Sequence, residues 1–146
     1  MYPFGSVQLI RDFVFLGGYT DIVTLLSGRS DVQVNIASHE DGQTPLARAC
    51  ENGRVEAVSV LLKNPTIDTG IKDINHNTAL TLAAAEGHVE VVKMLIEFLK
   101  KKEGITEDEI RRATAAANQN GHREVVELLT AMDDNNLIGQ EQENEG

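Results

Sequence analysis

Apolar residues between positions 44 and 62 recur at three- and four-residue spacing in two short runs. The first run places Leu46, Ala49 and Cys50 on one face of a helix. Gly53 follows this run and supplies a residue that tolerates positive φ, which ends a helix at little cost. Beyond the glycine, the same spacing continues through Val55, Val58, Leu61 and Leu62. The pattern predicts two short antiparallel amphipathic helices, which together form a helical hairpin.

The hairpin pattern recurs with a period of 34 residues in five independent columns. The columns are Gly53, Gly87 and Gly121; Ala49, Ala83 and Ala117; Glu56, Glu90 and Glu124; Val58, Val92 and Val126; and Leu61, Leu95 and Leu129. A further copy upstream, at a step of 35, is marked by Gly18, Asp21, Val23 and Leu26. A lone hairpin cannot bury its apolar face, so four copies are expected to stack side by side. We predict an all-α solenoid over residues 1–132, with repeats at about 6–38, 39–72, 73–106 and 107–132.

Two segments carry a family resemblance beyond the periodicity. The second copy opens with Asp41-Gly42-Gln43-Thr44-Pro45-Leu46, and the third contains Thr78-Ala79-Leu80 and Gly87-His88-Val89-Glu90-Val91-Val92. These segments resemble the ankyrin repeat, which implies stacked helix-turn-helix hairpins with short finger turns between copies. The outer copies match less well, as expected of repeats with a single neighbour. The fourth, for example, has Arg112-Ala113-Thr114-Ala115 where the opening motif belongs.

Several residues suit the turns and helix ends of this arrangement. Thr44 can cap the first helix of the second copy, with Pro45 in its first turn. Before the fourth copy, Gly104 suits a helix end, and Thr106-Glu107-Asp108-Glu109 resembles a capping box. We therefore expect an extended helix up to Gly104 and no extended finger between copies three and four. His76 occupies the position of a turn glycine in the third copy, which departs from the family pattern.

The formal net charge of −10, from 13 basic and 23 acidic residues, narrows the choice of partners. Such a field repels phosphate backbones and anionic lipid headgroups, so neither nucleic acid nor a membrane is an expected partner. Half of this charge lies in residues 133–146, which have five carboxylates and no base and are predicted to form an acidic flexible tail. No apolar run approaches about 18 residues, so no signal peptide or membrane span is expected.

Cys50 is the only cysteine, which excludes an intrachain disulfide and favours a reducing compartment. We expect an intracellular protein, cytoplasmic or nuclear, with a secreted effector as the alternative. No cofactor or metal is expected either. Cys50 and His39 could suggest a nucleophile and a base, but Cys50 lies in a small-residue column that favours packing. His88 and His122 share one column, which favours packing or hydrogen bonding over metal ligation.

Two further features leave alternatives open. Asn35 resembles the ankyrin finger asparagine that hydroxylases modify, but the resemblance has little specificity and an unmodified finger residue is the favoured interpretation. Five of the six aromatic residues, Tyr2, Phe4, Phe13, Phe15 and Tyr19, lie in the first 19 positions. They are expected to close the N-terminal edge of a monomeric stack, and a dimer through an exposed aromatic patch is the alternative.

The resemblance implies that partners bind on the concave face, formed by the finger tips and the exposed side of the first helices. We therefore expect a non-enzymatic adaptor or scaffold that binds a protein with a polar or basic surface. A regulatory inhibitor of an enzyme such as a kinase, or a host-directed microbial effector, would use the same surface. The predicted partner-binding residues are His39, Glu40, Asp41, Gln43, Arg48, Glu51, Asn52, Ile74, Asn75, Asn77, Ala85, Glu86, Gln119 and Asn120.

Overall fold

The structure, a computed structural model, describes residues 34–102 and 104–132. Residues 1–33, which hold most of the first copy predicted at about 6–38 and the five N-terminal aromatic residues, lie outside the described residues, as does the predicted acidic tail. Six helices occur in the described part and no strand: α1 (Pro45–Glu51), α2 (Val55–Leu62), α3 (Ala79–Glu86), α4 (Val89–Lys102), α5 (Glu107–Gln119) and α6 (123–132). The prediction of an all-α stack of hairpins is confirmed, because α1–α2, α3–α4 and α5–α6 are successive helix pairs.

The first helix of each described hairpin begins at a threonine. The Thr44 hydroxyl accepts a hydrogen bond from the Ala47 amide at 3.1 Å, and Pro45 occupies the first turn of α1. Thr78 caps α3 in the same way, and Thr106 caps α5 by accepting from the Glu109 amide at 3.2 Å. Each cap satisfies a backbone N–H that the helix itself cannot, which fixes the start of the helix.

Small and large apolar columns have different places in the packing. α3 lies between α1 and α5, while α2 packs against α1 and α4, so that the first and second helices form two layers. The alanine column at Ala49, Ala83 and Ala117 is fully buried, which allows neighbouring first helices to approach closely. The leucine column at Leu61, Leu95 and Leu129 fills the space between hairpins, and each buried leucine contributes roughly 1.5–3 kcal/mol.

Two finger turns project from the stack, and we call residues 34–43 finger 1 and residues 66–77 finger 2. They are joined by a backbone hydrogen bond of 3.1 Å from the Ile74 amide to the Asp41 carbonyl. His76 in finger 2 has φ of 65°, so this position keeps the left-handed conformation of a turn glycine although the residue is a histidine.

A third finger is missing from the described residues, as predicted. α4 has 14 residues where α2 has 8, and it ends when the Gly104 amide donates to the Leu99 carbonyl at 3.1 Å. α5 then begins at Glu107. The chain therefore passes from the second layer to the first without forming an extended turn.

Candidate partner-binding surface

The predicted partner-binding residues lie along the two fingers and the first-helix layer, but they differ in exposure. We call this side of the molecule the first-helix face; it is the concave side in ankyrin stacks. The residues that are exposed on it are His39, Glu40, Asn52, Ile74, Asn75, Glu86, Gln119 and Asn120. The half-buried ones are Asp41, Arg48, Glu51, Asn77 and Ala85, whereas Gln43 is only 6% exposed.

Four of these residues form one connected polar cluster between finger 1 and α1. Arg48 makes a salt bridge to Asp41 through its Nη2 atom, and the other oxygen of Asp41 accepts from the Gln43 amide at 3.0 Å. The Gln43 side chain then donates from Nε2 to Glu51 at 3.1 Å. These contacts join the finger to the helix that follows it, so the polar surface here is fixed before any partner arrives.

The ionisation of Asp41 depends on this cluster. Burial would raise the pKa of the Asp41 carboxyl, but the hydrogen bond from the Gln43 amide and the charge and hydrogen bond of Arg48 outweigh it. The pKa of Asp41 is therefore below its ordinary value of 3.8, and the carboxylate stays charged at neutral pH. The charge of Arg48 is thus compensated within the molecule, and the exposed Glu40 and Glu86 carry the negative charge of this face.

Glu51 also links this cluster to the next hairpin. The imidazole Nε2 of His88 lies 2.8 Å from the Glu51 carbonyl oxygen, and its ring packs over Gly53. The ring of His122 packs over Gly87 in the same way, one repeat further along. The prediction that the two histidines pack or hydrogen bond is confirmed, because each bridges successive hairpins.

Finger 2 presents an apolar residue on a rigid polar turn. The Asp73 carboxylate is buried and accepts from the amides of Asn75 and Asn77, both at 2.9 Å. This arrangement holds Ile74 at the tip with 63% of its surface exposed, the largest value among the large hydrophobic residues described. An exposed isoleucine on a turn that is already ordered is suited to contact an apolar group of a partner.

The ends of the first helices add a row of amide and carboxylate groups. Asn52 and Asn120 follow α1 and α5, and Glu86 is the last residue of α3. The Asn120 side chain donates to the Ala85 carbonyl at 2.9 Å, which reaches back one repeat, whereas Asn52 donates to the Arg48 carbonyl at 2.8 Å. These groups are spaced one repeat apart, so they can meet successive polar groups of an extended or helical partner segment.

The structure corrects the expected roles of two predicted contact residues. Gln43 was expected at a finger tip in contact with a partner, but it is buried. Its side-chain amide donates to Glu51, so Gln43 stabilises the finger within the molecule. Asn77 is half-buried, and both its backbone N–H and its carbonyl bond to Asp73, so it supports the turn. The sequence does not reveal the burial of Gln43 or the bonds of Asn77 to Asp73, because both depend on how each finger folds.

The Asn35 side chain also has a structural role. Its side-chain nitrogen donates to the Thr66 carbonyl at 2.6 Å, and its side-chain oxygen accepts from the Asp68 amide at 2.8 Å. The amide thus joins finger 1 to finger 2 across 31 and 33 residues of chain. Modification of Asn35 stays a prediction that the geometry does not require.

One residue of the first-helix face was missed. Asp108 is 34 residues beyond Ile74 and lies, exposed, in the first turn of α5. It forms a salt bridge of 3.2 Å with Arg112, one turn later. Extending the 34-residue step into the fourth copy would have identified it, although its column changes there from an apolar residue to an acidic one.

The candidate nucleophile is unsuited to chemistry. Cys50 is fully buried, and burial raises the pKa of its thiol, which removes the thiolate that a nucleophile needs. Over residues 34–102 and 104–132, no group of three or more His, Cys, Asp or Glu side chains is placed to hold a metal ion. In the same part of the chain, none of the helices is long and apolar enough to cross a membrane.

Comparison with known families agrees with this geometry. The family model for ankyrin repeats, which describes three copies, matches residues 13–104 and 67–139. The chain therefore belongs to the ankyrin repeat family, whose repeats are generally modules of protein–protein interaction and typically not enzymes. No curated protein matches the chain.

Proposed function

We propose that this protein is a non-enzymatic adaptor or scaffold that binds a partner protein through its first-helix face. The observation that carries the proposal is the rigid polar cluster of Asp41, Arg48, Gln43 and Glu51 beside the exposed tip of Ile74. A surface that is ordered before binding loses little conformational entropy on binding, so a few side chains can supply most of the affinity.

The chemistry of the face favours a partner with basic and apolar groups side by side. Glu40 and Glu86 are exposed carboxylates, and Arg48 is already neutralised by Asp41. Ile74 adds an exposed apolar side chain to the same face. A segment with lysine or arginine residues around one apolar side chain would complement this surface, with the charges acting mainly on selectivity and association rate.

The test is affinity capture with a variant whose surface alone is altered. Glu40→Lys, Ile74→Asp and Glu86→Lys change three exposed side chains, so the stack should fold with unchanged cooperativity. Asp41, Gln43 and Asn77 are left intact because Asp41 and Gln43 attach finger 1 to α1 and Asn77 supports the turn of finger 2. We expect proteins captured by the wild type to be lost from the variant.

The control carries a similar charge change on the second-helix layer. Glu90→Lys and Glu97→Lys also replace exposed carboxylates, but they lie on α4. A partner should be retained by this control and lost from the first-helix variant. Equal capture by the wild type and both variants would refute the proposal. A captured enzyme that is inhibited in its own assay would identify the protein as a regulator, and a non-enzymatic assembly would identify it as an adaptor.

A further inference from the structure

Three consecutive lysines form the last turn of α4, and we call Lys100, Lys101 and Lys102 the lysine cluster. All three side chains are exposed, and the Lys102 ammonium lies 5.9 Å from the centre of the Phe98 ring. Salt bridges between described residues are made by Arg48, Arg111, Arg112 and Arg123, and none of them involves the lysine cluster. The cluster is therefore a group of exposed cations that no described carboxylate pairs with.

The sign of the local charge differs from that of the whole chain. Lysines suit the carbonyl end of α4, where the helix dipole favours cations. Glu97 and Glu103 flank the cluster, yet residues 97–105 keep a formal charge of +1, whereas the whole chain carries −10. The cluster is thus a cationic patch on an acidic protein, and an acidic segment is the complementary ligand.

The end of α6 lies beside this cluster. The ring of His122, which precedes α6, packs over Gly87, which precedes α4, so the two helices begin next to each other. A step of 34 residues places Met132 level with Phe98, and Met132 is buried. Neighbouring packed helices lie about 8–10 Å apart. The chain therefore leaves α6 beside the last turn of α4.

The segment that follows α6 carries the opposite charge. Residues 133–146 contain five carboxylates and no lysine or arginine. Asp133 and Asp134 come first, at the positions that correspond to Leu99 and Lys100 of α4. A segment of this length spans about 48 Å when it is fully extended, so its later carboxylates also reach the cluster.

Other cations at this end of the molecule are already compensated. α5 begins only a few residues after α4 ends, but Glu107, Asp108 and Glu109 occupy its first turn and repel an acidic segment. Arg111 and Arg112 follow one turn later, and they are paired with Glu107 and Asp108. The start of α5 is therefore a poor site for residues 133–146, and the lysine cluster is a good one.

We propose that residues 133–146 cover the lysine cluster of the same chain, with their carboxylates on its ammonium groups. Each contact between exposed charges is weak and is screened by salt. Covalent attachment compensates for this weakness, because it raises the effective concentration of the segment to the order of millimolar. The contact keeps other acidic ligands from the cluster and adds little to stability. It is independent of the function proposed for the first-helix face.

The test uses NMR of the whole chain with a spin label on the segment. Gln142→Cys introduces a thiol for a nitroxide, and Cys50 is not labelled because it is fully buried. The reference is a neutral segment of the same length, with Asp133→Asn, Asp134→Asn, Glu141→Gln, Glu143→Gln and Glu145→Gln. At about 10 mM salt, broadening of the amide resonances of residues 99–102 should be about fivefold stronger with the native segment. At about 1 M salt this difference should vanish.

Lysine variants test the location. Lys100→Gln, Lys101→Gln and Lys102→Gln together should reduce the broadening at residues 99–102 to the level seen with the neutral segment. The matched control makes the same charge change at three other exposed lysines, with Lys63→Gln, Lys72→Gln and Lys93→Gln, and should keep the broadening.

A peptide provides a test in which the tether plays no part. A synthetic peptide of residues 133–146 should shift the resonances of residues 99–102 in the unlabelled chain with the neutral segment. The shifts should be smaller in the wild type, because its own segment competes for the cluster.

Several results would overturn the proposal. Equal broadening with the native and the neutral segment would mean that proximity alone causes it. Broadening that persists in the lysine-cluster variant, or that is strongest at residues 107–112, would place the segment elsewhere. Broadening of an isotope-labelled chain by a separate spin-labelled chain would assign the contact to a second copy. The capture experiment tests the first-helix face separately, so either proposal can fail without the other.

Discussion

Replacing Gly53 by alanine tests whether successive hairpins are held together through the histidine column. Gly53 has φ of +66°, and a Cβ placed on it would lie 2.6 Å from Nδ1 and 2.7 Å from Cε1 of His88. Gly121 has φ of +78°, yet no described atom comes within 4 Å of the corresponding Cβ position. The two glycines therefore share a backbone conformation and differ in whether the next hairpin packs against them.

The expected magnitudes follow from these two environments. The left-handed conformation costs alanine about 1–2 kcal/mol at either position. At Gly53 the ring of His88 must also move away, which breaks its 2.8 Å hydrogen bond to the Glu51 carbonyl and costs a further ~0.5–1.5 kcal/mol. The entropy that alanine removes from the unfolded chain is the same in both variants. Gly53→Ala should therefore lower the free energy of unfolding by about 1 kcal/mol more than Gly121→Ala.

Urea unfolding followed by circular dichroism measures this difference, provided that the slopes of the two variants agree with that of the wild type. A double-mutant cycle with His88→Ala isolates the contact. Once the imidazole is removed, Gly53→Ala should cost no more than Gly121→Ala does. Equal free energies for the two single variants, or strict additivity with His88→Ala, would refute this account of how the repeats couple.

Further predictions concern the thiol, the finger cluster, a helix cap and the chain end. Cys50 should react with a thiol reagent only at the rate of unfolding, since it is fully buried; prompt labelling of the native protein would contradict this. Asp41→Asn should lower stability by about 1 kcal/mol at pH 7. Because the pKa of Asp41 is lowered on folding, the difference from wild type should disappear as the pH falls below 3.8, and a pH-independent loss would contradict the cluster. Thr106→Ala should cost about 1 kcal/mol in urea unfolding by removing the cap of α5, while Thr106→Ser should restore it. Deleting residues 133–146 should change the melting temperature by no more than about 2 °C, and a larger loss would mean that this segment packs on the stack.

The sequence was sufficient for features that depend on neighbouring residues. The caps at Thr44 and Thr106 and the turn at Gly53 were predicted and are observed. The extension of α4 was predicted as well, because Ile96 to Lys102 consists of helix-forming residues with no break before Gly104. These features follow from local rules of helix formation, and the 34-residue period repeats them along the chain.

Features that depend on contacts between distant residues could not be predicted in the same way. The burial of Gln43 follows from its bond to Glu51, and the two bonds of Asn35 span a finger pair. Nothing in the periodicity indicates that Glu109 is half-buried or that it lies near Thr78 and Lys72. Such contacts are set by how closely hairpins approach, and the repeat pattern gives the order of the hairpins but not their side-chain geometry.

The extension of α4 explains why the described residues contain two extended fingers and not a third. Six additional residues lengthen this helix by about 9 Å relative to α2, and its last turn lies beside finger 2 before α5 begins. The first-helix face therefore keeps two fingers whose polar groups are joined to each other and to α1. Beyond finger 2, Ile67 and Phe98 line a cleft of about 360 Å³ beside the end of α4. A departure from the repeat pattern in one helix thus leaves the polar first-helix face intact and places a partly apolar cleft between finger 2 and the end of α4.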